Sequence, residues 1–158
     1  MKIEIKNRLT DDVIFSYEKE NNTIKDTVEE AIRVYTNLEY ANLKCANLEG
    51  VSLEYANLEG ANLEYANLKC ANLEGASLGD VNLKCANLEG ANLDYSQLDL
   101  SCKSLKMKTD RRIRVQIAFH FLSLIKHGIS VSRDERKIYK YLKKYANEFH
   151  REDVDRLD

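Results

Sequence analysis

The sequence of 158 residues contains no proline, no tryptophan and only six glycines. No apolar run approaches the roughly 18 residues that a membrane-spanning helix needs. The start of the chain, MKIEIKNRLTDD, carries charges where a secretory signal peptide has an apolar stretch. We therefore expect a protein that works in the cytoplasm and does not enter a membrane.

The cysteines and histidines also lack the spacing of a functional site. The four cysteines form no Cys-x-x-Cys pair, and no histidine cluster accompanies them. The chain has no glycine-rich phosphate loop and no nucleophile elbow. A general acid also needs a pocket that shifts its pKa, which a filled core does not offer. We expect no enzyme, no metal, no cofactor, and free thiols in a reducing compartment.

The charges are distributed unevenly along the chain. Residues 1–35 carry six basic and eight acidic side chains, a net charge of −2. Residues 36–100 carry three basic and ten acidic side chains, a net charge of −7. Residues 101–158 carry fifteen basic and eight acidic side chains, a net charge of +7. Such asymmetry predicts different partners for the parts of the chain, or contact between them.

Residues 36–100 form a repeat of five residues that occurs thirteen times without an insertion. Each unit is centred on a leucine, from Leu38 to Leu98, with a small residue two positions earlier and mostly asparagine one position earlier. A helix would rotate successive leucines by about 140°, and a flat strand would alternate them between faces. A solenoid instead points every leucine towards one axis, so the pattern predicts a solenoid.

The A-N-L-x-x run resembles the pentapeptide-repeat proteins and covers 65 of the 158 residues. This resemblance implies a mainly β fold, a right-handed quadrilateral β-helix with four units to a coil, and hence about three coils. Residues twenty apart would then stack, and the residue after each leucine would form four columns. Two columns alternate in sign, so we expect neighbours within each to attract: Lys44, Glu64 and Lys84, and Glu49, Lys69 and Glu89. The other two are acidic: Glu39, Glu59 and Asp99 with Asp80 beside them, and Glu54, Glu74 and Asp94.

The two acidic columns, which we expect on adjacent faces, have two interpretations. They either keep the protein soluble or form a binding surface that imitates nucleic acid. At about 4.8 Å per coil the run would be roughly 16 Å long, a length over which duplex DNA carries about nine charges. The seven acidic side chains are comparable, and Tyr40, Tyr55 and Tyr95 lie beside them as interface anchors or as packing.

Residues 1–35 are predicted to form a β-hairpin followed by a short helix that covers the first coil. Residues 2–5 and 13–15 alternate in polarity around a turn at residues 10–12. Asn22 or Thr23 can begin a helix with Ile24, Val28, Ala31 and Ile32 on one face. This leader resembles the one on small, often phage-encoded, pentapeptide-repeat proteins.

The repeat fails after residue 100, because the next central position is Lys103. Helical spacing of apolar residues begins after Thr109, which can cap a helix, ends at Gly128, and resumes after Ser132. We expect a basic helical hairpin that serves as a C-terminal cap, a homodimer interface, or a binder of nucleic acid or acidic surfaces. Its basic residues are Lys103, Lys106, Lys108, Arg111, Arg112, Arg114, Lys137, Lys140, Lys143 and Lys144.

The resemblance also implies a function, since some pentapeptide-repeat proteins bind type II topoisomerases as DNA mimics. This array is short, however, and asparagine replaces the aspartate that the family often has before the leucine. We therefore predict a non-catalytic inhibitor or modulator of a nucleic-acid-handling enzyme: a topoisomerase, a nuclease or, for a phage-encoded protein in a bacterial cell, a CRISPR effector. The alternatives are a self-assembling scaffold and a nucleic-acid binder that uses the basic tail.

Overall fold

The computed structural model describes residues 1–98, 107–110, 113, 114 and 117. The chain divides into two compact units, Met1–Lys108 and Thr109–Asp158. The elements of the first unit are β1 (Lys2–Lys6), β2 (Val13–Glu18), α1 (Ile24–Arg33), β3 (Ser77–Leu78) and β4 (Gln97–Leu98). Within the residues described, no helix is both long enough and apolar enough to span a bilayer.

Strands β1 and β2 form an antiparallel hairpin at the positions that the alternating pattern indicated. Lys2 lies opposite Glu18, and the register shifts between Ile5 and Lys6. The alternation of side chains across the strand buries Ile5 completely. Asp11, in the connecting turn, has a positive φ of 63°, a conformation that aspartate tolerates better than most residues.

Helix α1 begins after Thr23, one of the two caps that the sequence offered. The Thr23 side chain accepts a hydrogen bond from the Asp26 backbone N–H, and the Asp26 carboxylate accepts one from the Thr23 backbone N–H. Hydrogen bonds from Lys19 and Thr23 lower the pKa of Asp26 to about 2. Asn22 is instead buried, and its amide donates to the carbonyl of Tyr17.

Main-chain hydrogen bonds join each coil of the repeat to the next. The N–H of Leu43 donates to the carbonyl of Asn62, and the N–H of Asn62 donates to the carbonyl of Ala41, both at 2.8 Å. The parallel bridges within the repeat join residues twenty apart, from Asn42 with Asn62 onwards, and β3 pairs with β4 in the same register. Four units of five residues therefore make one coil, as predicted.

The interior of the coils is filled by the leucines and by the small residues two positions before them. Every central leucine from Leu38 to Leu88 is at most 1% exposed, and the alanines between them are buried too. Leu93 and Leu98 are only half-buried. The predicted inward direction of both positions is therefore confirmed for the coils up to Leu88.

The two residues that follow each leucine form a turn. The N–H of Ala41 donates to the carbonyl of Leu38 at 3.0 Å, and Tyr40, the third residue of that turn, has a φ of 57°. The same hydrogen bond and the same positive φ recur at each unit through Tyr95. The charged columns thus lie at the corners of the coil, not on flat faces as we expected, because each change of direction uses the fourth and fifth residues of the unit.

The asparagines connect the coils through their side chains. Each Oδ1 accepts a hydrogen bond from the backbone N–H two residues ahead, as Asn67 does from Lys69 at 3.2 Å. The amide of Asn67 donates to Oδ1 of Asn47 at 3.1 Å, and Asn87 in turn donates to Asn67 at 3.3 Å. An aspartate could accept these bonds but could not donate onward. Asparagine at this position therefore links neighbouring coils by hydrogen bonds, and it also lacks the negative charge that an aspartate would carry.

The N-terminal hairpin and helix pair with the free edge of the first coil. The N–H of Arg8 donates to the carbonyl of Tyr40, and the N–H of Asn42 donates to the carbonyl of Lys6, both at 2.8 Å. From the helix, Nζ of Lys25 reaches the carbonyl of Glu49 at 2.7 Å. These contacts satisfy main-chain groups that would otherwise attract another edge strand.

Lys108 continues the ladder beyond the repeat. Its N–H donates to the carbonyl of Ala86 and its carbonyl accepts from the N–H of Leu88, both at 2.7 Å. It bridges with Asn87, which is 21 residues earlier instead of the regular 20. Our assignment of Lys108 to the helical tail was wrong, because Lys108 belongs to the first unit and a search for the leucine pattern does not detect a rung formed by main-chain hydrogen bonds.

The second unit begins with a helix cap one residue later than predicted. Oδ1 of Asp110 accepts a hydrogen bond from the N–H of Ile113 at 3.0 Å, so Asp110 takes the capping role that we assigned to Thr109. Ile113, Arg114 and Ile117 are helical. The predicted end of this helix at Gly128 and the second helix after Ser132 lie outside the described residues.

The asparagine ladder generates a stability prediction. Asn67→Asp removes the donor to Asn47 and sets a carboxylate beside that of Glu49, which now accepts from the Asn67 amide at 3.1 Å. We expect a loss of about 1–2 kcal/mol in the free energy of unfolding, measured by urea denaturation. Asn42→Asp is the matched control, because the Asn42 amide donates to no side chain among those described. Equal losses in both variants would contradict the ladder's role.

The corners generate a second stability prediction. An alanine Cβ at Gly60 would lie 2.4 Å from Cε1 of Tyr40, whereas one at Gly50, with the same φ of 64°, would meet nothing nearer than Nζ of Lys25 at 3.7 Å. Both substitutions carry the left-handed strain of about 1–2 kcal/mol, and Gly60→Ala adds the clash. We expect the larger drop in melting temperature for Gly60→Ala. The difference should shrink when Tyr40→Gly removes the ring.

Candidate functional site

Two columns of carboxylates run along two neighbouring corners of the coil. We call Glu39, Glu59 and Asp80 the first acidic edge, and Glu54, Glu74 and Asp94 the second acidic edge. Glu54, Glu59 and Asp80 are exposed, and the other three are half-buried. The ladder confirms that the members of each edge come from successive coils. Asp99, the remaining predicted member, lies outside the described residues.

One exposed glutamate on each acidic edge, among the residues described, lacks the ion pairs found elsewhere in the repeat. In the part of the chain that the structure describes, neither Glu54 nor Glu59 pairs with a basic side chain. Oε2 of Glu74 accepts a hydrogen bond from the neutral amide of Asn92 at 3.1 Å. All three lysines of the repeat lie on the other two corners. The lysines of the repeat therefore do not neutralise Glu54 or Glu59.

One of the two mixed corners shows the attraction that its alternating signs predicted. Nζ of Lys44 lies 2.9 Å from Glu64, and Nζ of Lys84 lies 3.7 Å from the same carboxylate. The hydrogen bond from Lys44 is the main cause that lowers the pKa of Glu64, and the same bond raises the pKa of Lys44. Glu64 is the neutralised counterpart of the acidic edges.

The other mixed corner differs from the prediction. Lys69 makes no ion pair with Glu49 or Glu89, as far as the described residues extend. Glu49 accepts from the Asn67 amide at 3.1 Å, and Glu89 pairs with Nζ of Lys108 at 2.9 Å. The neighbouring amide and the added rung supply closer donors than the lysine of the same column.

The two acidic edges bracket one side of the coil, which we call the bracketed side. Its outward residues are uncharged: Asn37, Asn57, Ser77 and Gln97. Three extended residues separate the edges, a distance of about 10 Å. Along each edge successive coils are spaced by about 4.8 Å, against one charge per 3.4 Å along a strand of duplex DNA. The site thus consists of two parallel rows of negative charge with a neutral polar strip between them.

Tyrosines accompany the acidic edges, as the sequence indicated. Tyr40 is half-buried, its ring covers Gly60, and the guanidinium carbon of Arg8 lies 5.8 Å from the ring centroid. Tyr55 and Tyr95 follow Glu54 and Asp94 on the second acidic edge and are 72% and 64% exposed. The acidic edges therefore carry aromatic surface as well as charge.

Tyr65 occupies the equivalent position on a mixed corner. It follows Glu64, the carboxylate that pairs with two lysines, and it is 54% exposed. Tyr55 and Tyr65 are thus exposed corner tyrosines in opposite electrostatic settings.

The predicted basic tail is only partly described. Lys108 pairs with Glu89, and the guanidinium of Arg114 donates to the carbonyl of Thr109 at 2.8 Å. The other basic residues of that prediction lie outside the described residues: Lys103, Lys106, Arg111, Arg112, Lys137, Lys140, Lys143 and Lys144. The basic tail therefore stays a prediction from the sequence.

The described residues hold no group of three or more histidine, cysteine or acidic side chains that could bind a metal ion. Cys45, Cys70 and Cys85 are free thiols at corners of the coil, and Cys102 lies outside the described residues. Arg8 is the residue that sequence reasoning missed near the site, because it lies outside the repeat and no motif connects it with Tyr40.

Comparison with known proteins identifies the family of the repeat. The family described as pentapeptide repeats matches residues 35–69 and 71–101, in eight copies. The repeat of this chain is therefore an array of pentapeptide repeats, and proteins of that family fold as right-handed quadrilateral β-helices. Proteins of this family are in general structural or binding proteins. No curated protein sequence matches the chain significantly.

Solved structures similar to this chain are pentapeptide-repeat proteins and a resistance protein. A protein from the thylakoid lumen of Arabidopsis thaliana is 28% identical over 72% of this chain and 65% of its own, with a TM-score of 0.38. Rfr23 from the cyanobacterium Cyanothece 51142 is 40% identical over 48% and 40%, with a TM-score of 0.25. QnrB1, a plasmid-mediated fluoroquinolone resistance protein, is 25% identical over 61% and 45%, with a TM-score of 0.36. The chain spans less than two thirds of each.

The ion pairs of Glu64 generate a prediction on pH. Because the folded-state pKa of Glu64 lies below its ordinary value of 4.5, the pairs stabilise the coil above that pH, and this stabilisation is lost as the pH falls through the folded-state pKa. We expect Lys44→Met to raise the pKa of Glu64, measured by NMR titration of its carboxyl carbon. Lys69→Met is the control and should leave that pKa unchanged. A pKa that does not respond to Lys44→Met would contradict the assigned pairing.

Proposed function

We propose that this protein is a non-catalytic binding protein whose two acidic edges imitate nucleic acid and occupy the DNA-binding site of an enzyme. The observation that carries the proposal is that Glu54 and Glu59, one exposed glutamate on each acidic edge, have no basic partner among the described residues. The chain has lysines in its repeat, but they lie on the other corners, where Lys44 and Lys84 neutralise Glu64. Stacking like charges costs stability, so a fold selected only for stability would alternate signs on every corner.

The spacing of the charges supports the same function. Two rows about 10 Å apart, each with one carboxylate per roughly 4.8 Å, give about 70% of the charge density of a DNA strand along each row. The bracketed side between the rows is polar and uncharged, so it adds hydrogen-bonding groups without cancelling the field. A basic groove that binds duplex DNA would meet both rows at once.

The partner would be an enzyme with such a groove: a nuclease, a CRISPR effector or a topoisomerase. The described acidic edges span about three coils, or roughly 15 Å, which covers about half of the 34–36 Å helical turn of duplex DNA. A mimic of this length would block one channel or cleft and would not follow an extended DNA path. This size favours a compact nuclease or effector over an enzyme that wraps its DNA.

A pull-down from bacterial lysate with paired variants tests the function. We expect the wild-type chain to retain a nucleic-acid-handling enzyme, identified by mass spectrometry, and to lose it as salt rises. Glu54→Gln with Glu74→Gln should abolish retention by removing two charges from the second acidic edge. Glu49→Gln with Glu89→Gln removes two charges from a mixed corner and should retain the enzyme. Glu49 and Glu74 each accept a hydrogen bond from an asparagine of the next coil, and a glutamine at either position can still accept that bond.

Three outcomes of this pull-down would contradict the proposal. Equal loss of the enzyme in both variant pairs would mean that only total charge matters. Recovery of the chain alone, with a dimer or larger assembly in solution, would favour the self-assembling scaffold. Recovery of nucleic acid that survives the Glu54→Gln and Glu74→Gln pair would favour a nucleic-acid binder acting through the basic residues of the tail.

A further inference from the structure

The contact between Arg8 and Tyr40 shows what a corner tyrosine of this coil can bind. Tyr40 follows Glu39 of the first acidic edge, has a φ of 57°, and its ring lies over Gly60. The guanidinium carbon of Arg8 lies 5.8 Å from the centroid of that ring. This is the distance range in which a cation is attracted to an aromatic face. The chain thus places its own arginine on one tyrosine of an acidic edge.

Tyr55 occupies the equivalent position on the second acidic edge, where its ring is exposed to solvent. It follows Glu54 as Tyr40 follows Glu39, and its φ is 56°. Its ring lies along the corner, within 2.5 Å of where a Cβ of Gly75 would be. Tyr55 is 72% exposed, and Glu54 beside it is exposed too. The fixed backbone and the small neighbour hold the ring in place at a position that solvent reaches.

We propose that Tyr55 and Glu54 form a binding corner for an arginine side chain of the partner, so that the partner's surface is recognised through arginine and not through lysine. The planar guanidinium stacks on an aromatic face and bonds a carboxylate with two parallel N–H groups, whereas an ammonium is a compact, strongly hydrated charge. This inference rests on the proposed function for its biological setting. Its test needs only this chain and two synthetic peptides, and not the unidentified partner.

Tyr65 provides the matched control for Tyr55 within the same molecule. Both tyrosines occupy the fifth position of a unit, both have a positive φ, and both are exposed. The carboxylate next to Tyr65, however, already pairs with Lys44 and Lys84. A cation that approaches Tyr65 therefore meets a neutralised corner. Glycine substitutions are suitable at both positions because glycine adopts the positive φ without strain.

The test measures the affinity of the full chain for two synthetic probes, a nine-residue arginine peptide and a nine-residue lysine peptide, by calorimetry at one salt concentration. We expect the wild type to prefer the arginine peptide, and Tyr55→Gly to reduce the arginine-to-lysine affinity ratio by about two- to fivefold. Tyr65→Gly should leave the ratio unchanged. Tyr55→Phe should keep it, because the ring face remains. Circular dichroism confirms that each variant is folded.

The opposite results would overturn the inference. A ratio that Tyr55→Gly leaves unchanged, or that Tyr65→Gly lowers equally, would show that the Tyr55 corner does not select arginine. These outcomes are separable from the fate of the proposed function. A peptide preference that depends on Tyr55, with no nucleic-acid-handling enzyme retained from lysate, would uphold the corner and reject the proposed function. If the acidic edges retain an enzyme but the chain shows no preference for the arginine peptide, the proposed function stands and the Tyr55 corner is rejected.

Discussion

The register of the main-chain ladder determines the rest of this structure. Each coil pairs with the next at a spacing of twenty residues, and the same hydrogen bonds recur from Leu38 to Asn92. Because twenty is a multiple of the five-residue repeat, this register places every residue above one that holds the same position in its unit. Leucines therefore meet leucines inside, asparagines meet asparagines on the sides, and charged residues meet charged residues at the corners. A change of one residue in the register would break all three sets together.

The same register means that the position of each surface side chain can be read directly from the sequence. A side chain at the fourth position of a unit can only lie at a corner, and its vertical neighbours are fixed by the residues twenty before and after it. The corners of the repeat carry different patterns of charge. The repeat alternates Lys44, Glu64 and Lys84 on one corner, where they attract, and keeps Glu54, Glu74 and Asp94 together on another. The core and the ladder do not require this difference, which is why we connect it with binding.

Much of this arrangement follows from the sequence, because the period and the core depend on spacing alone. The hairpin and a helix cap at Asn22 or Thr23 were predicted from local patterns, whereas the four-unit coil and its columns were implied by the resemblance to pentapeptide-repeat proteins. Three features were not predictable in this way. The location of the charges at corners depends on where the chain turns, the asparagine bonds depend on geometry between coils, and the rung at Lys108 is made by main-chain atoms. The contact of Arg8 with Tyr40 depends on how the hairpin meets the first coil, which no repeat pattern encodes.

The central claim is that the two acidic edges occupy a site made for nucleic acid. Charge density, the neutral bracketed side and the exposed Tyr55 are features of one surface, which we propose a basic groove receives. The most direct test is a competition between duplex DNA and this chain for the enzyme that the chain retains. The account predicts that DNA and the chain exclude each other, with no complex that contains both. A stable ternary complex of enzyme, duplex and chain would contradict the account.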